Sequence, residues 1–237
     1  LNTSEALYIR YKPVLDSCEF FRNLGEEHWK ELLLSFREEL WTKNTCILNR
    51  KKFLFHFYII CRGRVKMYRL AENSLKEHTL FLLSKGDVFD VFCLFDGDKH
   101  RVYYECLDST KVLAIRMDEL RRWMQQQPQF YPMFLQYAAK MMRKLEKTAS
   151  ELIFTDLSTR LLQLILSNIN ERNHQLELID NLPNKELASM VGSTRAVVNR
   201  YLQTLKKKGA IQITRNRIKI MNMDLLLKEL KIHSGNS

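Results

Sequence analysis

The sequence has no cysteine pair at CxxC spacing, no low-complexity segment and no internal repeat. Its cysteines, Cys18, Cys46, Cys61, Cys93 and Cys106, are odd in number and scattered. This argues against a disulfide scaffold and against a zinc site, which need paired or clustered sulfur. Reduced, mostly buried thiols in a cytoplasmic protein are the expectation. There is no apolar run of about 18 residues, so no membrane helix is expected. The opening stretch "LNTSEALYIRYK" does not read as a signal peptide. GxSxG, HExxH, Walker-loop and paired-carboxylate patterns are all missing. No residues are visible to carry catalysis.

Acidic residues are scarce in one place. Residues 181–237 hold eleven lysines and arginines against three acids, so +8 of the chain's net +11 lies there. A small basic C-terminal part behind a near-neutral N-terminal part suggests a module that binds a polyanion. With 237 residues, 13 of them Phe and 9 Tyr, the chain can build one large core or two ordinary ones.

Three patterns follow one another along the chain. Residues 15–40 read as a short helix, a turn at Gly25 and an amphipathic helix, because Trp29, Leu32, Leu33 and Phe36 keep a 3.6-residue period. From 45 to 116 the pattern changes to short runs, "FLFHFYIICRG", "RVKMYRL", "KEHTLFLL" and "KVLAIRM", with Gly63 and Gly86 at turns. Such spacing predicts a compact β-sandwich or roll. "MDELRRWMQQQPQ" reads as a short helix broken near Pro128, and a long helix runs from about 130 to 153. In it Phe134, Ala138, Met141, Leu145, Thr148 and Leu152 form a heptad stripe. One helix cannot bury such a seam alone, so a homodimer is expected. Residues 156–170 read as a further helix capped near Asp156 or Ser158, followed by a loop and a short strand in "ERNHQLELIDNLP".

The basic segment "NKELASMVGSTRAVVNRYLQTLKKKGAI" reads as two short helices around Gly192. Leu187, Ala188 and Val191 face inward on the first, and Val198, Leu202 and Leu205 on the second. Ala188 is small where two helices cross, and Gly192 supplies the turn, which is the helix-turn-helix spacing. Ser193 or Thr194 can cap the second helix. Arg195, Ala196, Asn199 and Arg200 then occupy its exposed N-terminal face, the end that enters a major groove. Lys206, Lys207 and Lys208 add charge before Gly209, and "IQITRNRIKI" reads as a hairpin wing tipped by Arg215 and Asn216. Double-stranded DNA is the expected partner.

"GSTRAVVNRYLQTLKKKGAI" resembles the recognition-helix pattern G-x-S-R-E-x-V-x-R-x-L-x-x-L-x-x-x-G-x-I of the Crp/Fnr family of bacterial transcription regulators. "IICRGRVKMYRL" and "SKGDVFDVFCLFDGDKHR" resemble that family's effector-domain strands and turns. The likeness covers about residues 15–228. It implies an α+β fold: an N-terminal cyclic-nucleotide-binding-like β-roll, a long dimerisation helix and a C-terminal winged helix-turn-helix. The corresponding division is 1–127, 128–154 and 155–237. RNA polymerase is an implied partner.

Cyclic-AMP binders of the family carry G-E-L followed by R-S or R-T, for the ribose and the cyclic phosphate. Here Asp90, Val91 and Phe92 stand in the first place and Arg101 and Val102 in the second. The arginine is kept, but Val91 replaces the glutamate and Val102 the hydroxyl. The expected effector is therefore an unidentified small molecule other than cyclic AMP. Cys18 and Cys46 are too isolated for an iron–sulfur cluster. A haem-based gas sensor of the same family stays open, with His56, His78, His100 or the cysteines as candidate ligands. So does a signalling module that acts through protein contacts.

Overall fold

The computed structural model describes residues 2–47, 55–72, 76–89, 91–98, 101–170, 172–215 and 217–234. Asp90, His100 and Asn216 lie outside them. The chain divides into two compact units. The first comprises Leu1–Tyr68 and Phe81–Arg143, the second Arg69–Leu80 and Lys144–Ser237.

Two four-stranded sheets form the β-roll. One has the order β1 (Arg37–Trp41), β8 (Thr110–Arg116), β3 (His56–Arg62), β6 (Val88–Phe89). The other has the order β2 (Cys46–Ile47), β7 (Tyr103–Cys106), β4 (Val65–Leu70), β5 (Glu77–Leu83). β3 is central, and Phe57, Tyr58, Ile59 and Ile60 are all buried. A strand covered on both faces reads as a continuous apolar run rather than an alternation. It pairs antiparallel with β8, Phe57 opposite Ile115 and Ile59 opposite Leu113, and a bulge follows Ile60. Gly63 turns the chain into β4 at φ +94°, and a Cβ there would lie 2.6 Å from Thr110 Oγ1.

The helices of the first unit are α1 (Thr3–Leu15), α2 (Glu26–Leu33), α3 (Val91–Asp96) and α4 (Met117–Gln126). α2 ends at Leu33, earlier than the sequence pattern suggests, and residues 37–41 are strand rather than helix. A long helix, α5 (Tyr131–Phe154), runs from the first unit into the second. Its first turns close the first unit's core. Phe134 stacks on Phe20 at 4.8 Å, and Tyr137 meets Phe20 edge-on at 5.2 Å.

That packing revises the seam drawn from the sequence. Phe134 is 1% exposed inside its own unit, and Met141 packs against the same core. Thr148 donates its hydroxyl to Lys144 O at 3.0 Å. Leu135 and Met142, each 67% exposed, and Ala149 sit one position further on, and Tyr131, Ile153 and Phe154 at the two ends of α5 are exposed as well. With half-buried Ala138, Leu145 and Leu152, the first three make a second heptad stripe, Leu135, Ala138, Met142, Leu145, Ala149, Leu152.

The second unit continues with α6 (Leu157–Leu166), α7 (Asn184–Met190), α8 (Arg195–Lys207), the hairpin β9 (Ile211–Thr214) and β10 (Arg217–Ile220), and α9 (Met223–Ser234). α6 is capped by Asp156, which accepts from Thr159 N at 3.0 Å and Thr159 Oγ1 at 2.8 Å. The strand expected in 171–183 is reduced to one bridge, Ile169 to Leu176. Among the described residues no helix is long and apolar enough to cross a membrane.

Candidate nucleic-acid interface

α7 and α8 pack through Leu187, Ala188, Val191, Val198, Leu202 and Leu205, all buried. Each large side chain contributes about 1.5–3 kcal/mol by leaving water, which fixes the roll of α8 about its axis. The turn between the helices is set by Gly192 at φ +67°. A Cβ there would lie 2.7 Å from Leu152 Cδ2, so the backbone favours glycine, and any larger residue would also push the end of the Leu152 side chain aside. Ser193 N donates to Ala188 O at 2.9 Å, and the Thr194 hydroxyl caps α8 by accepting from Val197 N at 3.4 Å. Ser193 is thus part of the turn and Thr194 the cap.

With Val198 and Leu202 held inward, Arg195, Ala196, Asn199 and Arg200 are exposed on the opposite face of α8. Asn199 Oδ1 accepts from Asn184 Nδ2 at 3.2 Å, which orients its amide. α8 ends with Gly209 at φ +76° and Ala210 N bonded to Leu205 O at 3.0 Å, a left-handed cap. Lys206 is exposed. Lys208 is engaged elsewhere: its Nζ lies 2.7 Å from both carboxylate oxygens of Glu229 on α9. It braces the C-terminal helix, so a direct phosphate contact is not its first role. Arg215 is exposed at the wing tip.

Arg160, which the sequence reading did not single out, connects the turn to the end of α5. Its Nε donates to Val191 O at 3.0 Å, and its Nη1 donates to Glu151 O at 3.4 Å and to Thr155 O. The available signal was a cation early in a helix, where the macrodipole disfavours it. Only carbonyls from outside the helix explain it.

His78 of β5 packs in the same unit. Its Nδ1 lies 3.0 Å from Ser189 O, and Thr79 Oγ1 lies 2.8 Å from Ser189 Oγ. Its Nε2 is buried with no hydrogen-bond partner among the described residues. Burial lowers the imidazole pKa, against the raising effect of the Ser189 carbonyl, and Lys76 and Arg160 lower it further. The folded state therefore disfavours the protonated ring, while the unfolded chain takes up a proton near pH 6.5. Stability is full above that pH and falls as the solution is acidified through it. We expect the urea midpoint to drop between pH 7.5 and 5.5, and His78→Asn, whose amide can replace the Nδ1 donor, to flatten the drop. An equal drop in both proteins would remove His78 as its source.

In the β-roll, Val91 opens α3 and is half-buried, Phe92 is 37% exposed, Arg101 is exposed and Val102 is buried. Four rings of the β-roll form one cluster: Trp41 lies 5.1 Å from Tyr58, Tyr58 stacks on Phe89 at 5.1 Å, and Phe89 lies 4.9 Å from Tyr104. Cys18, Cys61, Cys93 and Cys106 are buried and Cys46 is half-buried, all as free thiols. Burial pushes Cys18 up to about 12 and Cys61 up to about 11, far from thiolate chemistry. His56 Nε2 lies 2.8 Å from an Arg37 nitrogen. Among the described residues no three His, Cys, Asp or Glu side chains are grouped to hold a metal ion.

Two family models match the chain. A Crp-like helix-turn-helix domain covers residues 157–229, and a cyclic nucleotide-binding domain covers residues 38–127. The chain is 26% identical over 178 residues to a CRP-like cAMP-activated global transcriptional regulator of Mycobacterium tuberculosis, covering 73% of this chain and 79% of that one. It is 25% identical over 217 residues to the global nitrogen regulator of Synechocystis, covering 85% and 90%. Among solved structures, FixK2 of Bradyrhizobium japonicum aligns with a TM-score of 0.70 at 19% identity over 81% of this chain and 96% of that one. A β-roll, a long helix and a winged helix-turn-helix therefore occur here in the order these proteins share, and the chain belongs to the Crp/Fnr family of transcription regulators, which are not enzymes.

Proposed function

We propose that the chain acts in the cytoplasm as a homodimeric, sequence-specific DNA-binding regulator. Residues 1–127 form its effector domain, 128–154 its dimerisation helix and 155–237 its DNA-binding domain. The observation that carries the reading is the row Arg195, Ala196, Arg200, exposed at the N-terminal end of a helix whose other face is locked in the core. Both arginines can donate to guanine O6 and N7 or to phosphates. Lys206 and Arg215 supply charge for the backbone, and RNA polymerase is the downstream partner. A dimer presents two such helices, so the site is two-fold symmetric with half-sites about one helical turn apart. An effector that favours one arrangement of the dimer shifts the population able to span both. Selection from a random duplex library tests this. Enrichment of an inverted repeat is expected, and no retained duplex at low salt would overturn the reading.

The effector is a small molecule other than cyclic AMP. The side chains of Val91 and Val102 offer no hydrogen bonds for a ribose or a cyclic phosphate. The M. tuberculosis relative is described as cAMP-activated, so the residue differences decide the expectation here. Calorimetry with millimolar cyclic AMP should show no binding and no change in DNA affinity. A micromolar dissociation constant would refute the assignment.

A further inference from the structure

We infer that Asn184, at the start of α7, is a positioning residue that fixes Asn199 as a hydrogen-bond donor toward the bases, so that each half-site carries guanine where Asn199 reaches. The inference rests on the DNA-binding reading above and adds a base preference to it. Asn199 stands on the exposed face of α8, one turn after Arg195 and next to Arg200. An asparagine amide is two-sided: its oxygen accepts and its nitrogen donates. Free in a major groove, it uses both sides at once, accepting from adenine N6 and donating to adenine N7. Asn199 is not free. Asn184 Nδ2 donates to its Oδ1 at 3.2 Å, from the other helix of the pair and fifteen residues earlier in the chain.

Both ends of this contact are held in place. α7 and α8 pack through buried Leu187, Ala188, Val191, Val198 and Leu202, so neither asparagine can leave with its helix. Asn184 is not used to close its own helix: Pro183 stands at the N-cap of α7, with no side-chain cap hydrogen bond. Its neighbour Lys185 is engaged with Glu77, Nζ to Oε1 3.1 Å. Among the described residues no hydrogen bond or ion pair holds the guanidinium of Arg195 or Arg200. Asn199 is thus the polar side chain of this face whose orientation is set before DNA arrives, and it loses less freedom on binding. With its oxygen turned to Asn184, its Nδ2 hydrogens point away from α7, and among the described residues nothing accepts from them. An outward donor matches guanine, whose N7 and O6 both accept. It opposes the amino groups of adenine N6 and cytosine N4, and thymine offers it one acceptor, O4, beside a methyl.

The test is selection from a random duplex library with wild type, Asn199→Ala, Asn184→Ala and Asn184→Asp. Asn199→Ala marks the position, because the base whose preference it erases is the one Asn199 reads. Wild type should hold guanine there about 10-fold over adenine, within the usual cost of one mismatched pair. Asn184→Ala releases the amide, so adenine should rise at least to parity with guanine. Asn184→Asp reverses the amide, because a carboxylate only accepts and draws Asn199 Nδ2 toward itself. The Asn199 oxygen then faces the bases, and adenine or cytosine should replace guanine on the contacted strand. Both Asn184 variants should melt as wild type does, since Leu187, Ala188 and Val191 still hold α7. A merely structural Asn184 would weaken every sequence alike and leave the preference unchanged. No position marked by Asn199→Ala, a base other than guanine there in wild type, or a preference unchanged in Asn184→Ala or Asn184→Asp each overturns the inference and leaves DNA binding standing. Failure of wild type to bind any duplex overturns both.

Discussion

Leu135→Glu combined with Met142→Glu should turn the protein into a folded monomer in sedimentation equilibrium. Both side chains are 67% exposed in the isolated chain, so the substitutions cost its own core little. In a two-helix seam they would place four carboxylates in one apolar layer, where desolvation and mutual repulsion act together. Far-UV circular dichroism should be unchanged. Affinity for a two-half-site duplex should fall about 10²–10⁴-fold, the usual gain from tethering two binding events. Phe134→Glu has a different expected signature. That ring is buried against Phe20 and Phe21, so the variant should unfold rather than dissociate. A dimer that survives the Leu135 and Met142 changes would place the seam elsewhere.

The seam shows how far periodicity reaches. The stripe from Phe134 to Leu152 and the stripe from Leu135 to Leu152 share Ala138, Leu145 and Leu152, and both keep heptad spacing. Spacing cannot choose between them. The choice is made by the β-roll, which takes Phe134 and Met141 for its own core. β1 was illegible for a related reason. "REELW" holds good helix formers and extends the period of α2, yet it is drawn into an edge strand by β8, with Arg37 opposite Ala114 and Trp41 opposite Thr110. β3, β4, β5 and β8 were readable because their runs are apolar and end at turns. The recognition face was readable because Val198, Leu202 and Leu205 recur at helical spacing and leave one face to polar residues. The brace that Lys208 forms was not legible because its partner, Glu229, sits on α9, a helix not drawn from the sequence. The sign of α9 was there in Asn222, whose side chain accepts from Leu225 N at 3.0 Å at its start, before "DLLLKEL".

Ala196→Glu should change which base the protein selects. In the family pattern the residue after the first arginine is glutamate, whose carboxylate can accept from the cytosine amino group. Ala196 has no acceptor. Its methyl is exposed next to Arg195 in the first turn of α8, where a thymine methyl is the natural contact. The wild-type half-site should therefore keep a guanine for Arg195 or Arg200 and hold an A·T pair where glutamate-bearing relatives take C·G. A glutamate at 196 restores the acceptor. It also places a negative charge at the positive end of the helix, which favours the fold, so the variant should melt no lower than wild type. The expected gain for C·G at that position is about 1–3 kcal/mol, or roughly 5- to 150-fold in relative affinity. The rest of the site should be unchanged, because Arg195, Asn199 and Arg200 keep their places on the helix. Parallel selections from one random library, with wild type and variant, read this directly. If the two enrich the same base at every position, Ala196 does not face the base edges. The recognition helix would then enter the groove by another face than the one left exposed by Val198 and Leu202.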